Sequence, residues 1–512
     1  MKNKWVKVAA AVLIFAMLLW LSVQGSSSRL RKKVEQYQAQ LREAGEKTTV
    51  EEITPPPVPA ERNALALFYA ADPVMGSTPN DCLVTNPPTA MRMIAPGRGM
   101  VAWHQAEVRD SSQTNQWRDV REALNSRLPV MDFYHLSAGK ERLQFDLDFS
   151  RGFSLLLPHL ARLKHSTLIM SAAVLCNLQE GHTDSAVTNL HDALVLAGIW
   201  DREPLLISQL VRIAMVQILY STQWELLQAK DLSDSQLALL QTDWERMNLL
   251  DPAEDAFVGE RVLGSLTVAQ FRTSNAPPDF TFGTGLGSSG SSGDWWEDLK
   301  DHGREVRDKM NFALWKSSWS YDDELLLLKS SQATVSALRQ ARTNRFYKDA
   351  IETSDREVQS MLATFQRENR IRIWMADSMA DIWSSPEMLQ KALIKLMATE
   401  AAKQLAITAI ALKRFELKHK QLPARLELLV PDFLKAIPRD PVDGQPLRYR
   451  LSNDHSFTLY SIGENGIDDG GSATNAAVSK SFNWRRGVDW VWPQAATAAE
   501  VEAFFFLQES RN

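Results

Sequence analysis

Hydrophobic residues recur at helical spacing through most of this chain. After Pro204, for example, apolar side chains return every three or four positions along one face. This pattern predicts a large helical domain over residues 60–273 and a second helical segment over residues 295–388. Between them, residues 274–294 are rich in Gly and Ser and hold too few apolar side chains to join a packed core.

One part of the helical domain has a repeat-like pattern. Ala186, Leu190 and Ala193 show the A-x3-L-x2-A spacing of the second helix of a tetratricopeptide repeat. Small residues at this spacing let a neighbouring helix approach closely. Three copies at a fixed period are not found, so a helical-hairpin array and an irregular helical domain both fit. Either arrangement makes the expected fold class mainly α.

The start of the chain carries an uninterrupted apolar run, residues 8–21, behind a basic head of three lysines. The run lies between the lengths of a signal-peptide core, about 7–15 residues, and of a membrane span, about 17–25 residues. We predict an N-terminal transmembrane helix at residues 1–25, with a cleaved signal peptide as the alternative. Either interpretation predicts export. The favoured one makes the protein single-pass in the inner membrane, with most of the chain extracytoplasmic.

Residues 26–59 predict a juxtamembrane helix followed by a Pro-rich spacer. Leu30, Val34, Tyr37 and Leu41 recur at the a and d positions of a heptad pattern. Fewer than two heptads make a weak zipper, so a solvated helix is favoured over a dimerising stalk. The prolines that follow stiffen the chain before the helical domain begins.

The pattern changes over residues 389–493. A long helical stretch ends at Leu422-Pro423, and two segments of alternating polarity, 447–451 and 456–460, predict an antiparallel hairpin. The helix and the hairpin are joined and followed by short motifs in a fixed order. These are Leu426-x-x-Leu429-Val430, Phe433-Leu434, Ile437-Pro438-x-Asp440-Pro441, Gly444, Tyr449, Phe457, Tyr460-Ser461-x-Gly463, Gly466 and Gly470-Gly471.

This order of motifs, over residues 401–471, resembles the globular domain of the major pseudopilin of type II secretion. The resemblance implies a small α+β domain in which a long helix packs on an antiparallel sheet, followed by a loop that binds calcium. The whole layout is also similar to large uncharacterised membrane-anchored proteins of bacteria. After this domain, residues 494–512 form a tail with three consecutive phenylalanines, which could be packed or could dock a partner.

Calcium also has a basis in the residues themselves. Asn465, Asp468 and Asp469 lie in the Gly-rich loop, and Asp489 could return to the same place. Together they offer one amide oxygen and three carboxylates, the hard oxygen ligands that calcium prefers. A solvated acidic turn is the alternative. These four residues are the candidate metal ligands, and calcium is the candidate cofactor.

Composition narrows the function further. Lys and Arg number 57 against 62 Asp and Glu, a formal charge of −5, which excludes a basic nucleic-acid-binding surface as a global feature. Two cysteines, Cys82 and Cys176, exclude a disulfide scaffold and a Cys-based metal cluster, and leave open whether they pair. Neither G-x-S-x-G, H-E-x-x-H nor a Walker A motif occurs, so no catalytic residue is assigned.

Two functions fit these observations. The favoured hypothesis is a membrane-anchored envelope protein that is not an enzyme. It would contact the membrane through its N-terminal helix and a protein partner through its helical and pseudopilin-like domains, in secretion or assembly. The alternative is an exported enzyme whose active site is assembled from residues far apart in sequence. A polar cleft with convergent side chains would favour the enzyme, and an apolar surface would favour the binding protein.

Overall fold

The structure, a computed structural model, describes residues 27–76, 82–109, 114–274, 312–368, 386–454, 456–474 and 488–509. This part of the chain is mainly helical and carries three small sheets. Its α-helices are α1 (27–43), α2 (Val50–Ile53), α3 (Leu65–Met75), α4 (Cys82–Thr85), α5 (Trp117–Asn125), α6 (Leu128–Ser137), α7 (Pro158–Gln179), α8 (Thr183–Ile199), α9 (Leu206–Leu226), α10 (Asp234–Arg246), α11 (Leu250–Thr273), α12 (Ser320–Asn344), α13 (Lys348–Glu368), α14 (Pro386–His419) and α15 (Ala498–Glu509).

The strands lie in three separate regions. They are β1 (Arg92–Ala95), β2 (Arg98–Met100), β3 (Val108–Arg109), β4 (Thr114–Asn115), β5 (Arg448–Leu451), β6 (Phe457–Ser461), β7 (Trp490–Val491) and β8 (Gln494–Ala495). The sheet orders are β1-β2-β8, β3-β4 and β5-β6-β7. Most neighbouring strands are antiparallel, but β8 runs parallel to β2. The two hairpin segments expected near residues 447–460 are β5 and β6.

The helices α5 to α10 stack in two layers. In one layer α7 packs against α5 and α9, and in the other α8 packs against α6 and α10. The small residues Ala186 and Ala193 of α8 are fully buried with Leu190 between them, which is why the neighbouring helices can approach closely. Helix α14 packs on both α9 and α10 and under β6. The main hydrophobic core therefore includes residues from Ile53 to Trp492, and smaller clusters lie beside it.

None of the described helices combines the length and the apolarity that crossing a bilayer requires. The longest, α14, has 34 residues but is interrupted by Lys391, Lys395, Glu400 and Lys403. The fold-class prediction is therefore wrong in its N-terminal transmembrane helix, and the predicted location as a single-pass inner-membrane protein is not supported. The segment assigned to the anchor, residues 1–25, lies outside the described residues.

The heptad-like face of α1 is used within the chain. Val34 and Leu41 are buried against Leu327 and Leu328 of α12, and the Gln38 amide donates to Ser265 and Glu324. Helix α1 therefore packs on the pair formed by α11 and α12. The Gly/Ser-rich stretch between these two helices lies outside the described residues from 275 to 311, but α11 and α12 themselves pack closely together.

A buried ionic network fixes the segment that follows α1. The Glu46 carboxylate is almost fully buried and accepts hydrogen bonds from Arg261 of α11 and from Gln332 and Arg339 of α12. Burial disfavours the ionised carboxylate, but the bonds from Arg339 and Gln332 outweigh it and hold the pKa of Glu46 below its usual value. One carboxylate thus ties three separate segments of the chain together.

Replacing Glu46 by Ala is expected to lower the free energy of unfolding by about 3–5 kcal/mol, because it leaves the buried Arg261 guanidinium without its carboxylate. Urea unfolding followed by tryptophan fluorescence would measure the change. The neighbouring Lys47→Ala is the matched control. Its ion pair with Asp255 is half exposed on both sides, so its loss should cost no more than about 1 kcal/mol. Equal effects of the two substitutions would contradict the assigned role of Glu46.

Candidate functional site

The segment at residues 488–496, here called the connecting strand, joins the two three-stranded sheets. Its first half pairs with β6, where Trp490 lies opposite Ser461, and the Trp492 amide donates to the Leu459 carbonyl at 2.8 Å. Its second half pairs with β2, and the amides of Gln494 and Ala496 donate to the carbonyls of residues 97 and 99. The connecting strand is therefore hydrogen-bonded to two segments that lie far apart in the sequence, residues 97–99 and β6.

Aromatic side chains hold the connecting strand on the end of α9. The Trp492 ring packs edge-on against Tyr220, with the ring centroids 5.4 Å apart. One turn further on, the Trp224 indole donates to the Pro493 carbonyl at 2.7 Å. The same indole also lies against Gly99 of β2, where a Cβ atom would approach it to 3.0 Å. Trp224 of α9 thus contacts both strand β2 and the connecting strand.

The next residue of α9, Glu225, anchors the β1–β2 hairpin. Its buried carboxyl group lies 2.7 Å from the Met91 amide nitrogen and 3.1 Å from that of Ala102, so it receives both ends of the hairpin. Burial raises the pKa of Glu225 to about 8, although the two amide donors act in the opposite direction. Beside it, the Trp103 indole donates to the Glu225 backbone carbonyl.

A pocket of about 370 Å³ opens where these parts meet, and we call it the junction pocket. Apolar residues make up just over half of its lining, and they come from α14 and the segment after it, the residue that follows α9, β6 and the connecting strand. They are Leu227, Ala409, Leu412, Leu422, Phe457, Trp492, Pro493 and Ala495. The polar lining comes from Arg98, Gln228, Lys413, Glu416, Ser456 and Gln494.

The charged groups of the junction pocket are bonded to one another. Lys413 pairs with Glu416 at 3.1 Å, and Arg98 makes a two-pronged pair with Glu500, at 3.0 and 2.6 Å. The Arg98 guanidinium holds the pKa of the Glu500 carboxyl near 2, and it also donates to Gln494. The charged residues of the pocket are therefore engaged with each other or with Glu500. Apolar surface lies beside them, and a ligand can bury it.

Among the described histidines, three are hydrogen-bonded to carboxylates elsewhere in the helical part of the chain. His135 Nδ1 lies 3.1 Å from an Asp192 oxygen, His191 Nδ1 lies 2.6 Å from Asp243, and the buried His159 Nε2 lies 3.0 Å from Glu203. The hydrogen bond that the His191 ring donates to the Asp243 carboxylate raises the pKa of His191. The first two pairs join neighbouring helices, α6 to α8 and α8 to α10. The third joins α7 to the segment between α8 and α9, and none of these residues lines the junction pocket.

The structure brings the four predicted calcium ligands into one region but gives each of them a protein partner. The Asn465 amide donates to Asp469, Asp468 accepts from the Tyr460 hydroxyl, and Asp489 returns to the loop as expected. There the Asp489 carboxylate, which is fully buried, accepts from the amides of residues 471 and 472. Within the described residues, no three His, Cys, Asp or Glu side chains are arranged to hold a metal ion. Calcium binding stays a prediction.

The two cysteines are thiols rather than a disulfide. The Cys82 sulfur lies 3.6 Å from the Asp119 carbonyl oxygen, and the Cys176 sulfur lies 3.6 Å from the Glu180 carboxylate. Burial raises the pKa of Cys176 to about 11, which keeps it protonated and unreactive at neutral pH.

The junction pocket was not anticipated from the sequence. One signal was present: Glu225 is an acidic residue at the end of a largely apolar helix, which indicates a polar partner elsewhere in the chain. The partners of α9, however, lie more than 100 residues before it and more than 200 after it. Periodicity within one helix carries no information about segments that distant.

No family model matches the chain, and no curated protein and no solved structure matches it either. The pseudopilin resemblance of residues 401–471 therefore stays a prediction.

Replacing Glu225 by Gln should change how stability depends on pH. A carboxyl whose folded-state pKa is raised contributes stability below its ordinary pKa and loses that contribution as pH rises through its folded value. For Glu225 the loss falls between about pH 4.5 and 8. The melting temperature of the wild type should therefore decline relative to that of Glu225→Gln across this window.

The control for this experiment is Glu500→Gln. Because the pKa of Glu500 is lowered to about 2, its contribution is lost only on acidification, and its variant should track the wild type above pH 5. Parallel pH profiles of the wild type and Glu225→Gln would contradict the raised pKa.

Proposed function

We propose that the protein acts by binding another polypeptide, and that the junction pocket receives a bulky apolar side chain of this partner. The observation that carries the proposal is that the pocket combines an apolar lining with charged side chains that are already paired. Its apolar lining includes Phe457 and Trp492, whereas its charged side chains are already paired, Lys413 with Glu416 and Arg98 with Glu500. A pocket of this kind gains free energy by excluding water from apolar surface.

The size of the junction pocket limits what it can bind. Its volume of about 370 Å³ is close to the lower end of ligand pockets, roughly 300–1,000 Å³, and suits one or two side chains. Burying one Leu or Phe side chain contributes about 1.5–3 kcal/mol, which alone gives millimolar or weaker affinity. A useful complex therefore needs further contacts outside the pocket.

Aromatic side chains next to polar groups in one pocket are typical of a hot spot in a protein interface. The resemblance to a pseudopilin also supports binding of a protein partner, since α14 and β6 line the pocket and belong to the domain that shows the resemblance. A role in assembly is accordingly part of the proposal. The enzyme alternative would need acid and base groups free to exchange protons, whereas Lys413 and Glu416 pair with each other.

Ala495→Trp should fill the junction pocket and abolish binding of small probes of an apolar side chain. Ala495 is an exposed residue of β8 that lines the pocket, so the larger side chain can enter without disturbing the core. Suitable probes are N-acetyl-tryptophanamide and N-acetyl-phenylalaninamide, tested on the purified full chain by saturation-transfer NMR. We expect millimolar binding to the wild type and none to Ala495→Trp.

The matched control is Ala499→Trp, an exposed alanine four residues further on that does not line the pocket. It should bind the probes as the wild type does. A photo-crosslinker at Gln228 provides the cellular counterpart: any adduct formed through the junction pocket must be lost with Ala495→Trp and kept with Ala499→Trp. Probe binding that is absent from the wild type, or that survives Ala495→Trp, would rule out the pocket as the binding site.

A further inference from the structure

Three carboxylates from two separate segments surround the guanidinium of Arg448. This arginine begins β5, and its Nη1 donates to Asp440 at 3.0 Å and to Asp443 at 3.1 Å. Its Nη2 donates to the second Asp443 oxygen at 2.6 Å, and its Nε lies 3.5 Å from Asp468. The Arg448 side chain is only 19% exposed. One protein cation therefore lies at the centre of an acidic cluster.

Asp440 is the buried member of this cluster, and most of its hydrogen-bond donors are groups other than Arg448. It is fully buried, and it accepts hydrogen bonds from the amides of Val442 and Ile462 and from the Ser461 hydroxyl, in addition to Arg448. These bonds hold the turn at residues 440–443 against the end of β6. Arg448 is thus kept in one position, from which it reaches Asp468 in the Gly-rich loop.

A second cation approaches the same loop from the helical part of the chain. Lys348, the first residue of α13, donates to the Gly466 carbonyl at 3.1 Å. Gly466 has a positive φ of 65°, and a Cβ atom there would lie 2.7 Å from the lysine side chain, so only glycine allows this approach. The amides of Tyr347 and Lys348 also donate to the carbonyls of residues 441 and 442, which docks the start of α13 on the turn.

The loop at residues 463–472 therefore fits a calcium ion poorly. Calcium needs about six to eight oxygen ligands at roughly 2.3–2.6 Å. Here each of the four predicted ligands accepts a hydrogen bond from a protein donor, and the Gly466 carbonyl is taken by an ammonium group. The buried Asp489 is turned towards backbone amides at residues 471 and 472. Oxygens engaged in this way do not form a calcium shell without rearranging the loop.

We propose that Arg448 and Lys348 hold this loop in place of a divalent cation, so that the loop is ordered without calcium. The positive charge is then carried by side chains of the protein itself, so it cannot dissociate as a bound metal ion can. Since Lys348 lies outside residues 389–493, order in the loop also depends on α13 being docked. Removing Arg448 leaves Asp440, Asp443 and Asp468 without the guanidinium that neutralises them, and an added cation can then neutralise them in its place.

The test uses the purified full chain, with hydrogen–deuterium exchange of peptides covering residues 463–472 as the readout. Exchange in the wild type should be the same in EDTA and in millimolar calcium. Arg448→Met should raise the exchange rate in EDTA by roughly tenfold or more, because the carboxylates then repel one another. Calcium should reverse most of this increase in Arg448→Met. Lys348→Met should also raise the exchange rate, and calcium should not reverse it.

The matched control is Arg450→Met, two residues further along β5 and exposed. It should leave exchange in the loop unchanged under both conditions. Protection of the wild-type loop that rises with calcium would overturn the proposal, as would an Arg448→Met loop that exchanges like the wild type. An Arg448→Met loop that is destabilised but insensitive to calcium would also overturn it, since the carboxylates would then not share a cation site.

Discussion

The structure depends on a single extended segment that hydrogen-bonds in two directions. The connecting strand pairs with β6 through Trp490 and Val491 and with β2 through Gln494 and Ala495. Between these pairings the strand must leave one sheet and reach the other. The space left where it diverges is the junction pocket. The candidate binding site is therefore a geometric result of how the two sheets are joined, and it exists only when both are in place.

Buried carboxyl groups fix which segments of the chain lie together. Glu46, Glu225 and Asp440 are each buried, and each receives donors from segments far away in sequence. Apolar contacts tolerate small shifts in packing, whereas a buried carboxylate that loses its donors is strongly unfavourable. These three residues therefore select one arrangement of helices and strands among the many that would bury the same apolar area.

Local features of the fold could be predicted from the sequence, and distant ones could not. The small residues Ala186 and Ala193 implied a closely packed helix, and the alternation around Tyr449 implied a strand; both depend on neighbours within a few positions. The a and d positions of α1 were recognised, but their partner, Leu327, is nearly 300 residues away. The acidic loop suggested calcium because a local sequence pattern shows only the residues of the loop itself. It does not show that the side chains of Lys348 and Arg448 reach the loop in the folded protein.

Strand β8 completes a sheet that β2 begins, and 396 residues separate Arg98 from its partner Gln494. During synthesis on the ribosome, the β1–β2 hairpin therefore lacks β8 beside β2 until residues 494 and 495 have emerged. An open edge invites pairing with other chains. Glu225 is synthesised long before β8, so it can already hold both ends of that hairpin against α9. The nascent chain thus keeps this hairpin anchored until β8 arrives.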